Sequence, residues 1–244
     1  MYIYPTITIN GVSSTTIRGL LITALAPISK PAQRALVDVI DGRAGDVITP
    51  LGFAAYDKPV TIALTKGYDI DEVIKFFNSE GVVTFSNEPD KYYNFAIYEQ
   101  IDFERLIKFK TATVVFHVQP YKHPVKNILV ENAPENATNS LSVGVFNSGN
   151  IYSKPLLKVI GSGTINLSVN GVQMVVLELG ETSQTIYIDC DTMNAYAPDN
   201  TLLNRLVTGN YDNIKLPVGN NTITVTATGN TITALSVDNY IRWI

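Results

Sequence analysis

Between residues 111 and 119 the chain alternates. Ala112, Val114, Phe116 and Val118 are apolar, while Thr111, Thr113, His117 and Gln119 between them are polar, the period-two pattern of a half-buried strand. Pro120 and Pro124 then fix their own φ and withdraw two backbone donors, which predicts that the ladder stops there. Gln119, Pro120, Tyr121 and Pro124 form a candidate joint between two domains, residues 1–124 and 125–244.

Upstream of the joint the pattern predicts mostly strands. Residues 2–9 turn at Asn10-Gly11, a dipeptide suited to positive φ, and residues 17–26 are expected to return. Residues 34–40 and 47–53 read as a long hairpin tipped by Asp41, Gly42, Arg43, Ala44, Gly45 and Asp46. Two aspartates offer too few ligands for a hard-cation loop, so the tip is read as a turn. Val60, Ile62 and Leu64 mark another strand. One helix follows, with Asp69 as N-cap, Glu72 three residues on, an apolar face of Ile70, Val73, Ile74 and Phe77, and Gly81 as its stop. Residues 82–85 form a short strand, residues 87–90 a turn, and residues 92–101 a long aromatic strand with Tyr93, Phe95 and Ile97 on one side. Tyr92 and Tyr98 lie on its other side, as a partner patch or, the favoured reading, under a second covering layer. Residues 103–110 read as an irregular solvated link.

Beyond Pro124 the texture is all-β. Residues 154–160 and 164–169 read as two strands broken by a turn at Gly161-Ser162-Gly163, and Asn170-Gly171 reverses the chain into residues 172–179. Residues 185–188, an irregular loop over 191–209, and strands near 223–227 and 232–237 complete the pattern. One strand and one turn every eight to twelve residues suggests a sandwich. Composition agrees. Asn occurs at only four positions before Pro124 and is frequent after it, and of 18 Lys or Arg and 22 Asp or Glu, 12 and 13 lie up to Pro124, leaving 6 and 9 beyond. The expected class is mainly β, with an N-terminal sandwich or barrel-like domain carrying one helix and a long hairpin.

A net charge of −4 and a pI near 5.2 argue against a surface that holds nucleic acid by neutralising phosphates. The lone Cys190 implies no disulfide and no metal cage, and its neighbours Asp189 and Asp191 disfavour a thiolate. The start lacks a basic leader and no apolar run spans a bilayer, so a soluble, cytoplasmically folded chain is expected. His117 and His123 stand near no nucleophile turn, Asp189, Asp191 and Asp199 read as turn formers, and the Gly161 to Gly163 run has no Lys or helix after it. No catalytic, cofactor-binding or metal residue is predicted.

The order of phrases carries a resemblance. Asp41-Gly42-Arg43-Ala44-Gly45-Asp46, the run Phe85 to Tyr93, Phe103-Glu104-Arg105-Leu106 and the run Phe116 to Lys122 together resemble the N-terminal domain of the distal tail (Dit) proteins of long-flexible-tailed bacteriophages. Gly161-Ser162-Gly163, Val169-Asn170-Gly171, Ile188-Asp189 and the run Leu216 to Asn221 resemble that family's C-terminal galectin-like sandwich. The resemblance implies a non-enzymatic virion protein, assembled in the host cytoplasm. Its N-terminal domains would build a hexameric ring, single or stacked in two, with a channel through which DNA passes unbound. Tail tube, tip and receptor-binding or baseplate proteins would be its partners. No membrane and no cofactor are implied. A carbohydrate-binding module engaging cell-wall glycans is the alternative, with Tyr187, Tyr196, Tyr211 or Trp243 as stacking residues.

Overall fold

The computed structural model describes residues 4–78, 80–126, 128–229 and 231–244. It is mainly β, and the chain divides into two compact units, Met1–Val125 and Lys126–Trp243. Tyr2 and Ile3 of the first predicted strand, and Asn127, at which alternation over residues 127–131 predicts a further strand to begin, lie outside the described residues.

The first unit contains β1 (Ile7–Ile9), β2 (Val12–Ser13), β3 (Leu20–Ala24), β4 (Gln33–Asp38), β5 (Val47–Phe53), β6 (Tyr56–Leu64), α1 (Ile70–Phe77), β7 (Glu80–Phe85), β8 (Lys91–Ala96), α2 (Phe103–Phe109) and β9 (Thr111–Pro124). Seven of its strands make one sheet in the order β2-β1-β7-β8-β9-β6-β3, and β4 with β5 makes a sheet of its own. The inward row of β9 is the predicted one: Val114, Phe116 and Val118 are fully buried. Phe116 sits at the centre of the core, its ring 5.1 Å from Phe95, 5.7 Å from Phe85 and 6.3 Å from Phe77 of α1.

Several expectations are corrected here. The strand does not stop at the prolines. β9 continues to Pro124, which pairs with Lys91, because a register shift opposite Asn94 lets Pro120 sit where no donor is needed, and because β6 pairs only as far as Val118. The return from Asn10-Gly11 is the two-residue β2. Ser13 then caps a 3-10 turn at Ser14–Thr16 that redirects the chain, so β3 pairs with β6 on the far edge instead. Helix α1 ends at Phe77 and Gly81 lies inside β7, while β8 stops at Ala96. The supposed irregular link is the second helix, α2, capped by Asp102, whose carboxylate accepts from Arg105 N at 2.8 Å, and closed by Lys110 in the left-handed conformation. Its single buried residue, Leu106, is too sparse a signal for periodicity to reveal. In α1 the capping box is half made: the Asp69 carboxylate caps Asp71 and Glu72, but Glu72 accepts from Arg18 N at 3.3 Å.

The second unit contains β10 (Leu129–Asn132), β11 (Ser140–Asn147), β12 (Leu156–Val169), β13 (Val172–Asp189), β14 (Asn194–Tyr196), β15 (Val207–Gly209), β16 (Gly219–Ala227) and β17 (Ile232–Asp238). Each of the two expected strand pairs around Gly161 and Leu179 is one long strand. Gly161 and Gly163 form a bulge, not a turn: a Cβ on Gly161 would meet Thr231 O at 2.9 Å, and Gly163 has φ +73. Before the bulge β12 pairs with β17, and after it with β16, so one hairpin serves two halves of a sheet curled around a single core. On β13 the buried row changes phase, from Val175, Leu177 and Leu179 to Ile186 and Ile188, which is why its pattern reads as two strands.

Both Asn-Gly turns are present, with φ of +48 and +83 at Asn10-Gly11 and +51 and +81 at Asn170-Gly171. Each Asn does a second job. Asn10 Nδ2 donates to Glu80 O and its Oδ1 accepts from Val82 N, both at 2.9 Å, tying the turn to β7. Asn170 likewise accepts from Thr222 N at 2.8 Å and donates to Asn221 Oδ1 at 3.0 Å. Asn10→Gly, which relieves the positive φ but loses both bonds, is therefore expected to lower stability by about 1–2 kcal/mol in urea unfolding. A more stable variant would show that the turn conformation is the residue's only role.

Candidate assembly surface

Among the described residues, the arm made by β4 and β5 pairs with no other strand. Its register joins Ala35 with Pro50, Leu36 with Thr49, Val37 with Ile48 and Asp38 with Val47. Paired residues share a face, so Ala35, Val37, Ile48 and Pro50 make one wholly apolar face, with Val39 next in the same alternation. The other face mixes Leu36 and Val47 with Asp38 and Thr49. The apolar face is open to solvent: Val37 is 52% exposed, Ile48 63% and Val39 79%. An isolated two-stranded ribbon is marginal in water, and contiguous exposed apolar surface marks an interaction site.

At the arm's tip, Asp41, Gly42, Arg43, Ala44, Gly45 and Asp46 are all exposed. Gly42 and Gly45, both at φ +81, make the reversal, and Arg43 N donates to Ile40 O at 3.1 Å.

The arm's root is fixed by a buried ionic cluster that sequence reasoning missed. Glu88, in the turn before β8, accepts from Lys122 Nζ of β9 at 3.0 Å and from the Tyr93 hydroxyl. Both members of this ion pair are buried. Lys58 of β6 is 1% exposed, donates to Pro27 O at 3.2 Å, and lies 5.1 and 5.4 Å from the ring centres of Tyr93 and Phe85. Asn87 Nδ2 holds Ala26 O at 3.2 Å, Ala54 N bonds Ala32 O at 2.8 Å, and Phe53 meets Tyr121 edge-on at 6.2 Å. The chain entering and leaving the arm is thus clamped at both strands. Burial, assisted by the charge of Lys122 and opposed by Glu88, holds the Lys58 ammonium below the usual lysine range, and burial with the bond to Glu88 pushes the Tyr93 hydroxyl up.

Of the candidate joint residues, Gln119 is exposed, while Pro120, Tyr121 and Pro124 are half-buried within β9, around its register shift. Of the two tyrosines expected under a covering layer, Tyr92 on β8 is half-buried, its ring stacked 5.4 Å from that of His123, whereas Tyr98, beyond the end of β8, is 74% exposed and leans on His117, whose ring pairs with Asp57 at 2.8 Å. Tyr187 and Tyr196 stack at 5.5 Å, whereas Tyr211 packs against the core of the second unit.

The remaining candidates make local structural contacts. Cys190 is buried, and burial with the Asp189 charge pushes its thiol up. Asp189 and Asp199 accept from backbone groups of their own turns. Among the described residues no three His, Cys, Asp or Glu are grouped to hold a metal ion, and no helix is long and apolar enough to cross a membrane.

No family model matches the sequence, and no curated protein matches it. The structure is similar to that of the SPP1 Dit (gp 19.1) protein, described as a paradigm of hub adsorption apparatus in phages infecting Gram-positive bacteria. The TM-score is 0.66 at 16% identity, over 96% of this chain and 98% of that one. The chain has the fold of that Dit hub protein. Chains of the phage P2 baseplate in its activated conformation, with Ca and with Sr, are also similar, at TM-scores of 0.47 and 0.46 and 11% identity, covering 96% or more of this chain and 97% or more of theirs.

Glu88→Gln leaves two buried lysines without an anion and is expected to cost about 3–5 kcal/mol in urea unfolding. Lys58 binds its proton less readily in the folded chain than in the unfolded one, so its contribution to stability rises as pH climbs toward the ordinary value of 10.5. The stability of Lys58→Met relative to the native chain should therefore fall between pH 7 and 10. A constant difference would mean that Lys58 titrates as an ordinary lysine.

Proposed function

We propose that this chain is the structural hub of a bacteriophage tail, without enzymatic activity. Six copies close into a ring through their first units, singly or as two stacked rings, and join the tail tube to the tip or baseplate around a channel for DNA. The observation that carries this reading is the backbone likeness to a Dit hub across both units. The arm supports it, since a ribbon with an uncovered apolar face is stable only against a partner. So does the charge balance, because the residues up to Pro124, with 12 Lys or Arg against 13 Asp or Glu, carry no excess of cations that would trap DNA in a channel.

In this reading the joint at Gln119, Pro120, Tyr121 and Pro124 sets the placement of the second unit, the galectin-like sandwich that carries receptor-binding or baseplate components. The protein acts in the virion tail after assembly in the host cytoplasm. The stacked Tyr187 and Tyr196 favour one second reading, glycan binding by the second unit. Saturable binding of the chain to cell-wall polysaccharide, lost in Tyr196→Ala, would support it.

Negative-stain images of the purified protein test the hub reading directly: rings with a central hole are expected. The double variant Val37→Asp, Ile48→Asp should image as single particles without holes and keep the native far-ultraviolet circular dichroism. Intact rings in that variant would remove the arm from the interface.

A further inference from the structure

In the second unit, the sheet half made by β10, β17, β12, β13 and β14 sends Leu157, Ile188, Leu235 and Val237 into the core, and the residues between them face the other way. Those outward residues line up across the strands. Glu131 pairs with Ser236, Ser236 with Lys158, Lys158 with Tyr187 and Tyr187 with Tyr196, which makes one row. Leu129, Asp238, Leu156 and Asp189 stand in register in the next row.

Ser236 is short where its neighbours are long, and a groove of about 260 Å³ opens over it. Ser236 is 4% exposed at the floor, Leu129 and Glu131 wall one side, Leu156, Lys158 and Tyr187 wall the other, and Asp238 stands along the same strand. The Ser236 hydroxyl donates to Glu131 Oε1 at 2.9 Å and so holds that carboxylate beside the floor. Asp238 adds a second carboxylate, and Lys158, which makes no ion pair among the described residues, adds a donor. Tyr196 stacks on Tyr187 with ring centres 5.5 Å apart and planes 16° apart. The groove is lined by Tyr187 and not by Tyr196, so it lies on the other side of a ring that is already held in place.

Resting on the glycan reading of this unit, we propose that the groove binds one pyranose ring of a neutral or amino sugar within a glycan chain. Sugar hydroxyls both donate and accept, so they satisfy carboxylates and an ammonium together. The apolar C–H face of the ring packs on the free side of Tyr187, which loses little freedom because Tyr196 backs it. The two rows carry three carboxylates, Glu131, Asp238 and Asp189, against the single ammonium of Lys158, so a uronate or a phosphate would meet like charge. The volume lies below the about 300–1,000 Å³ of pockets for drug-sized ligands, which suits a single ring with the rest of the chain outside.

An array of neutral hexose, N-acetylhexosamine, amino-sugar, uronate and phosphorylated oligosaccharides, probed with the full chain through a terminal tag, tests this. Binding is expected on the neutral or amino sugars and not on the anionic ones. In calorimetric titration with the strongest hit, Tyr187→Ala and Ser236→Phe, which fills the groove from its floor, should each weaken binding by about tenfold or more with unchanged circular dichroism, while Tyr187→Phe keeps the ring and should keep the affinity. Should Ser236→Phe fail to fold, Lys158→Ala in the half-buried wall replaces it with the same expectation. Strongest binding to uronates or phosphates overturns the sugar class. A hit bound equally well by the groove variants overturns the groove assignment and leaves the glycan reading standing. Binding to no oligosaccharide removes the groove assignment and the glycan reading together, and leaves the hub reading, which rests on the backbone likeness, untouched.

Discussion

The ion pair between Glu88 and Lys122 is the constraint on which the first unit turns. It lies almost dry, and a buried charge pair persists only where geometry and further hydrogen bonds satisfy both partners. Here the Tyr93 hydroxyl completes the carboxylate, and the rings of Phe85 and Tyr93 receive the second cation, Lys58. To place Lys122 opposite Glu88, β9 has to stay in the sheet beyond Pro120, which the register shift allows. To place Lys58 beside them, β6 has to run back as far as Tyr56, next to the exit of the arm. The same residues therefore hold the end of β9 and the root of the arm, so an exposed ribbon is presented from a rigid base.

The second unit obeys a different constraint. One sheet must curl around one core, and the long hairpin of β12 and β13 does this by changing neighbours at Gly161 and Gly163. Neither glycine is replaceable at low cost, one because another backbone approaches and the other because of its positive φ. Asn147, fully buried, plays the complementary part at the end of β11, donating to Ile151 O at 3.0 Å and to Leu216 O at 2.9 Å while accepting from Gly149 N at 2.9 Å. Loop carbonyls that would otherwise be stranded are satisfied by one side chain.

Much of this was legible in the residues. The alternation at Val114, Phe116 and Val118, the cap at Asp69, both Asn-Gly turns and the hairpin tipped at Gly42 and Gly45 follow from local rules that the tertiary structure does not override. What failed, failed for a reason. Proline at 120 reads as a break because periodicity cannot see that one edge of β9 is unpaired there. Gly161 to Gly163 reads as a turn because a bulge and a turn use the same residues. Nothing local in the sequence marks Lys58 and Lys122 as buried, because burial of a lysine depends on a carboxylate distant in sequence. The candidate surface was half legible: its tip was marked by glycines, but Ala35, Val37 and Ile48 look like any core-facing row, and only the fold shows that none of the described residues covers them. In hindsight the phrases around Glu88 and Lys122, which carry the resemblance to Dit proteins, are the two halves of the buried pair.

The central claim is that an apolar ribbon on a rigid base drives this chain into a closed assembly. Native mass spectrometry of the purified chain tests it most directly. A single discrete species of six copies, or of twelve if two rings stack, is the predicted result. A monomer at every concentration, or an open series of sizes with no preferred closure, would contradict it.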